Sequence, residues 1–295
     1  MVHASSVFRA LVGVCFALAT IFTSSVAPQT TVSIAPDGQT KPRPVLLLTG
    51  DSLTEHGTNP NLQGWVALLG SRYTLSSDVI TRGISGYNTK WFLKYVVPTL
   101  EREISTGAYT APSLITVWLG TNDAALINGS NTEMHVPIDD YKENLQQIVR
   151  RFQTSAPNAN ILLITPPHID DDARAKNAAE RTDGKRGLLD RSDAASGNYS
   201  VACVEVANAL KVPVLDLYTY FSAMPLKTRN AMLLDGIHFN AAGYQAVDGQ
   251  LQSKLRTEFP ALVSALEDSQ FPAASKWVAE DPWTPGNSSG ESNNL

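Results

Sequence analysis

Five short runs, at residues 45–48, 78–81, 114–119, 161–165 and 212–217, recur along this chain, with longer stretches of helical period between them. Each run is too short for a stable helix and rich in branched side chains, so each reads as a strand. Strands that alternate with helices are joined by crossovers, and such a chain buries both faces of its strands in a parallel sheet covered by helices. Pro213 has no N–H to give to a ladder, which predicts that the last strand lies at an edge.

Two helices are marked by spacing. Ile138, Tyr141, Leu145, Ile148, Val149 and Phe152 fall on one helical face, with Asp139, Asp140 and Glu143 near its start and Arg150 and Arg151 at its end. Another helix opens at Asn240, a residue suited to capping, and runs through Tyr244, Val247, Leu251 and Leu255 until Phe259-Pro260 closes it. His238 then lies on the loop just before that helix. Tyr199, Cys203, Val206 and Leu210 also share a helical face, which places Cys203 in the core.

A chain of 295 residues with 43% hydrophobic positions can bury one large core, expected over residues 45–282. Ahead of it, Arg9 precedes an apolar run at residues 10–22 and the small residues Thr23-Ser24-Ser25-Val26-Ala27, the pattern of a secretory signal over residues 1–27. The run falls short of the roughly 18 to 20 apolar residues of a spanning helix, which makes an uncleaved membrane anchor the lesser reading. Residues 28–44 read as a flexible lead-in and 283–295 as a disordered tail. Loss of the leader removes Arg9 and no acid, moving the net charge from -5 to -6, which argues against nucleic acid or an anionic membrane as partner. It also removes Cys15, leaving Cys203 without a disulfide partner in the same chain. Asn128-Gly129-Ser130, Asn198-Tyr199-Ser200 and Asn287-Ser288-Ser289 are glycosylation sequons that matter only in a secreted chain.

In open parallel sheets ligands bind beyond the carboxyl ends of the strands. Those positions hold Gly50-Asp51-Ser52 after the first strand, Gly83-Ile84-Ser85-Gly86 after the second and Gly120-Thr121-Asn122-Asp123 after the third. A serine becomes a nucleophile when a histidine takes its proton, and a carboxylate holds that histidine in the right tautomer. Ser52 and the pair Asp235 and His238 supply these groups, while a glycine N–H and the Asn122 amide are donors for a developing oxyanion.

In their order along the chain, Ser52, Gly86, Asn122 and His238, with Asp235, resemble the marker residues of the SGNH or GDSL hydrolases. Arg82-Gly83-Ile84-Ser85-Gly86-Tyr87-Asn88-Thr89, Ile164-Thr165-Pro166-Pro167 and Pro213-Val214-Leu215-Asp216-Leu217 look like the isoamyl acetate-hydrolysing esterase branch, and the resemblance spans about residues 45–260. It implies a three-layer α/β/α flavodoxin-like fold with a five-stranded parallel sheet and a shallow, exposed site. It implies a Ser52-His238-Asp235 triad, an oxyanion hole of Ser52, Gly86 and Asn122, a small-molecule ester as substrate, and neither cofactor nor metal. Leu53 is an ordinary variant of the family pattern, and His168 stands where the branch often has a further proline.

Other readings compete at single residues. Ser52 alone is an acceptable helix cap, and Asp51, Asp123 and Thr121 read as loop-holding groups. Ser85 lacks the Gly-x-Ser-x-Gly spacing of a nucleophile elbow. His168 beside Asp170, Asp171 and Asp172 lacks metal-ligand spacing and reads as a solvated loop. His56 and His135 lack an acid and strand-end context and receive no role, while Trp65 and Trp91 read as packing before pocket walls. Residues 166–196, charged and poor in apolar side chains, read as an excursion that partly covers the site. For the whole chain the expectation is a secreted esterase for short acyl groups. The rivals are a carbohydrate acetylesterase, a lysophospholipase or thioesterase, an acyltransferase, and a catalytically silent binding protein.

Overall fold

The structure, a computed structural model, describes residues 43–282. The expected leader with Cys15, nearly all of the lead-in, and the tail with the Asn287 sequon lie outside the described residues.

The chain runs β1 (Val45–Gly50), α1 (Ser52–Glu55), α2 (Trp65–Arg72), β2 (Asp78–Gly83), α3 (Thr89–Trp91), α4 (Val97–Ser105) and β3 (Leu114–Trp118). It continues through α5 (Ile138–Ser155), β4 (Asn160–Ile164), α6 (Asp171–Glu180), α7 (Asp193–Leu210) and β5 (Val214–Leu215). The helices α8 (Leu217–Ser222), α9 (Leu226–Asn230), α10 (Ala241–Glu258), α11 (Pro260–Glu267) and α12 (Ala274–Glu280) complete it.

The five strands are parallel in the order β2-β1-β3-β4-β5. Side chains alternate strictly between two cores. Leu47, Ile115, Val117, Ile161 and Leu163 pack with α4, α5 and α7, and Leu46, Leu48, Leu114, Trp118, Leu162 and Ile164 pack with α2, α10 and α11. This is the three-layer α/β/α arrangement. Both faces of β1, β3 and β4 are covered, which is why these strands read as unbroken apolar runs. Thr49 is fully buried in β1 and meets its need for a partner by donating to the Thr116 carbonyl at 2.6 Å.

β1 and β2 run two residues past their apolar runs because Thr49 pairs with Arg82 and Gly50 with Gly83 in the same ladder. Pairing persists where hydrophobicity stops. Gly83 has no room for a side chain, since a Cβ there would lie 2.2 Å from the Glu55 nitrogen at the end of α1. β5 is shorter than its run: Asp216 Oδ1 accepts the Thr219 N–H at 3.0 Å and starts α8, so Leu217 is helical. β5 is an edge strand, as Pro213 predicts.

The segment 166–196 differs most from expectation. It is not a loose excursion. α6 occupies its middle, capped by Asp170, whose Oδ1 accepts the N–H groups of Asp172 and Ala173 at 3.1 Å each. His168 is fully buried rather than solvated, 5.0 Å from the Phe221 ring, with Nε2 3.0 Å from the Arg229 carbonyl oxygen. Arg174, Asp190 and Arg191 are 7%, 6% and 3% exposed, so these three charged groups are folded inward, while Asp171, Asp172, Lys176 and Glu180 stay exposed.

Candidate active site

The strand order reverses direction between β1 and β3: the chain leaves β1 for β2 on one side, then crosses to β3 on the other. The crevice at that switch point is where the ends of adjacent strands diverge. Ser52 follows β1, Asn122 follows β3 and Gly86 follows β2, so three distant segments open onto one rim. A cavity of about 250 Å³ there is lined by Ser52, His56, Ser85, Gly86, Thr121, Asn122, Ile237 and His238. No residue of segment 166–196 is in that lining.

Asp51 turns the chain from β1 into α1. It is fully buried, its Oδ1 accepts the Leu53 N–H at 2.9 Å, and Ser52 becomes the first residue of the helix. Backbone N–H groups in a first turn have no acceptor within the helix, so that of Ser52 is free of helical duty. Ser52 Oγ lies 2.8 Å from His238 Nε2, and His238 Nδ1 lies 2.8 Å from Asp235 Oδ2. A carboxylate only accepts, so Nδ1 carries the proton and the Nε2 lone pair faces the serine. Asp235 Oδ1 accepts the N–H groups of Ile237 and His238 at 2.9 Å each, which folds the loop into a tight turn. The Leu234 N–H donates to the His238 carbonyl at 2.7 Å and closes that loop.

Opposite this group, the Asn122 amide is held from both ends. Its Nδ2 donates to the Tyr87 carbonyl at 2.9 Å and its Oδ1 accepts from Arg191 Nη2 at 2.8 Å. One partner only accepts and the other only donates, so the amide has a single orientation and keeps one N–H for the cavity. Gly86 has φ +80°, a left-handed conformation that a side chain disfavours. The loop that carries it is tied back to α1, where Glu55 accepts the Ser85 N–H at 2.6 Å.

The electrostatics follow from these contacts. Burial acts to raise the Asp235 carboxyl, but hydrogen bonds from the His238 ring and from the His238 and Ile237 backbone outweigh it and hold the group well below the usual carboxylate range. The hydroxyl and N–H of Ser85 lower Glu55 in the same way. Burial pushes Asp51 up to about 7 and Asp123 up to about 6, against the opposing hydrogen bonds from Leu53 and Thr89 respectively. Asp123 accepts the Thr89 N–H and hydroxyl, so both aspartates hold loops, as their positions in turns suggest.

His56 carries no role in the sequence reading, yet it lines the cavity, with its ring 4.7 Å from that of His238. Desolvation and the neighbouring imidazole lower its pKa. It lies four residues after Ser52, one helical turn on, a spacing that was available as a signal. Trp65 is packing: it is fully buried and donates Nε1 to the Leu53 carbonyl at 3.0 Å. Trp91 stacks edge-on with Tyr87, 6.2 Å between ring centroids, and is not in the cavity lining. Cys203 sits in the core with its thiol pushed up to about 12 by burial. His135 lies apart from the cavity, its Nδ1 against the Ala125 carbonyl at 2.6 Å. Among the described residues no helix is long and apolar enough to cross a membrane.

The sequence profile of the GDSL-like Lipase/Acylhydrolase family matches residues 48–246, a span that contains every residue lining the cavity. A GDSL esterase/lipase of Arabidopsis thaliana is 34% identical over 213 residues, covering 72% of this chain and 86% of that protein. The isoamyl acetate-hydrolyzing esterase 1 homolog of Rattus norvegicus is 32% identical over 236 residues, covering 80% of this chain and 90% of that protein. Among solved structures, the lipase/acylhydrolase from Enterococcus faecalis shares the fold at a TM-score of 0.51 and 22% identity, over 72% of this chain and 96% of that one. With the sheet order, the strand-end residues and these relatives in agreement, the chain belongs to the GDSL-like Lipase/Acylhydrolase family and is a hydrolytic esterase.

Proposed function

We propose that Ser52, His238 and Asp235 form the catalytic triad of a serine esterase that prefers carboxylic esters of short acyl groups, such as acetates. The observation that carries this is the unbroken chain of 2.8 Å contacts from Ser52 Oγ through the His238 ring to Asp235. His238 Nε2 takes the hydroxyl proton as Ser52 Oγ bonds to the ester carbonyl carbon. The carbonyl oxygen, now an oxyanion, receives the N–H groups of Ser52 and Gly86 and the free N–H of the Asn122 amide. Collapse expels the alkoxide, which takes the proton from Nε2 and leaves as the alcohol. Water, activated by the same nitrogen, then releases the acid from Ser52. Asp235 stays ionised throughout and steadies the imidazolium, since its hydrogen bonds favour the carboxylate.

The short-acyl preference rests on size. At about 250 Å³ the cavity lies below the roughly 300 to 1,000 Å³ of sites for drug-sized ligands, and Ile237 gives it an apolar wall. Nitrophenyl esters from acetate to decanoate test this reading. kcat/KM should peak at acetate or butyrate and fall for longer chains, and a steady rise toward decanoate contradicts it. A fluorophosphonate probe should label the native protein and leave Ser52→Ala unlabelled; absence of labelling in both would favour a silent binding protein.

The chain is also proposed to be secreted, on the strength of Arg9, the apolar residues 10–22 and the small residues that follow. Asn128, exposed in a turn, is the sequon best placed to carry a glycan. N-terminal sequencing and glycosidase treatment of protein from a eukaryotic host test both points. An intact N-terminus retained in the membrane fraction contradicts secretion.

A further inference from the structure

Arg191 is almost completely enclosed, 3% exposed, and its guanidinium makes an uneven set of contacts. Nη2 donates to Asn122 Oδ1 at 2.8 Å, Nε to the Thr121 carbonyl at 2.6 Å and Nη1 to its neighbour's carbonyl, that of Asp190, at 3.1 Å. Two of its donors therefore grip the side chain and the backbone of two consecutive residues that line the cavity. The nearest acid is largely committed elsewhere: Asp190 accepts from Arg174 Nε at 2.9 Å and Nη2 at 2.8 Å, and lies 3.9 Å from Arg191 Nη1. Nη2 also lies 3.4 Å from Met134 Sδ, and Asp51 and Asp123 attract the cation from further off, but its direct acceptors are neutral, and burying a cation on neutral acceptors is a costly way to fill space.

The chain of contacts also reaches the other side of the cavity. Arg174 Nη1 donates to the Asp235 carbonyl at 2.9 Å, so Arg174, Asp190 and Arg191 link the loop of the acid to the amide. All three come from the segment 166–196, which lines none of the opening.

We propose that Arg191 is a positioning residue for the oxyanion hole: it locks the Asn122 amide with its N–H toward the cavity and strengthens that donor by polarising the carbonyl end. This deepens, and rests on, the reading of Asn122 as an oxyanion donor. Without Arg191 the Tyr87 carbonyl alone would orient the amide, which loosens it, and any flipped population would turn an acceptor toward the oxyanion. A hydrogen bond given to an amide oxygen strengthens the hydrogen bond its N–H gives, and the low local dielectric lets the nearby cation favour charge developing on the carbonyl oxygen. A fork of fixed geometry is needed to hold residues 121 and 122 together, which lysine does not offer.

A double-mutant cycle on nitrophenyl acetate tests the inference, with Arg191→Met and Arg191→Lys each made in the native and the Asn122→Ala backgrounds. In the native background Arg191→Met should lower kcat about 10- to 100-fold with KM within about twofold, less than the ~10²- to 10³-fold of losing the donor itself. Arg191→Lys should recover only part of that. In the Asn122→Ala background either change should cost less than about threefold, because the group it acts through is gone. Equal losses in both backgrounds, or undiminished kcat in Arg191→Met, overturn the inference while a slowed Asn122→Ala leaves the oxyanion reading standing. Undiminished turnover in Asn122→Ala overturns both. Thermal unfolding accompanies each variant, and if Arg191→Met does not fold, the lysine variant decides through the same cycle: coupling to Asn122 supports the inference and additivity overturns it.

Discussion

The two sides of the cavity are built at different sequence range. On one side Asp235 and His238 are three residues apart, and the acid takes two backbone N–H groups and the ring within a single turn of loop. On the other side Asn122 is oriented by the Tyr87 carbonyl and by Arg191, which stand 35 and 69 residues away. A local unit keeps its geometry through its own hydrogen bonds. The amide depends on whether two remote segments are in place. On the proposed roles, the proton-handling half lies within a short motif, while the charge-stabilising half leans on Arg191, a support that belongs to no motif read in the sequence.

The largest effect is expected of His238→Ala, which should lower kcat about 10⁴-fold or more, since the serine then has no base. Asp235→Ala should be milder, about 10²- to 10³-fold, because the carboxylate is 43% exposed and water can serve the ring nitrogen in its place. If the aspartate variant proves the more damaged of the two on one substrate, the acid is more than a local brace. Asn122→Ala should fall in the ~10²- to 10³-fold range of a lost oxyanion donor, with KM little changed. Glu55→Ala releases the Ser85 N–H and loosens the loop that carries Gly86, so a kcat loss of about tenfold or less is expected; a loss as large as that of Asn122→Ala would mean that the remote anchors matter equally.

The smallest effect sharpens the picture without touching turnover directly. Buried Asp51 has its pKa raised from 3.8 to about 7, so between those values the folded state holds a proton that the unfolded chain has released. Stability contributed by this group therefore falls as pH rises through that window and stays reduced above it. Asp51→Asn keeps an acceptor for Leu53 and has no such titration. Denaturant midpoints should show the variant gaining on the native protein from pH 4 to pH 7, and a constant difference across that range would refute the assignment.

Much of this architecture is legible in the sequence. The strands announced themselves because both faces of β1, β3 and β4 are buried, leaving no reason for polar residues to interrupt them. Asn240 marked the start of α10 because capping is a local interaction, its Oδ1 accepting the Gly243 N–H at 3.2 Å. The segment 166–196 is opaque for the converse reason. Charge there suggests exposure, yet Arg174 and Asp190 are buried as a pair with each other, and Arg191 is buried because the remote Thr121 and Asn122 accept from it. For His56 the spacing of one helical turn from Ser52 is a local signal, but its contact with the His238 ring is not, since that residue is distant in sequence.

The layered α/β architecture, the strand-end positions and the Asp235–His238 unit are readable from the residues alone, since periodicity, capping and short-range hydrogen bonds are written in neighbouring residues. That Ser52 Oγ meets His238 Nε2, and that an arginine from a charged segment turns inward to hold Asn122, emerges from the three-dimensional arrangement. Those contacts depend on how separate loops converge at the β1/β3 crevice, and the energy of a buried charge is set by partners that no local stretch of sequence contains.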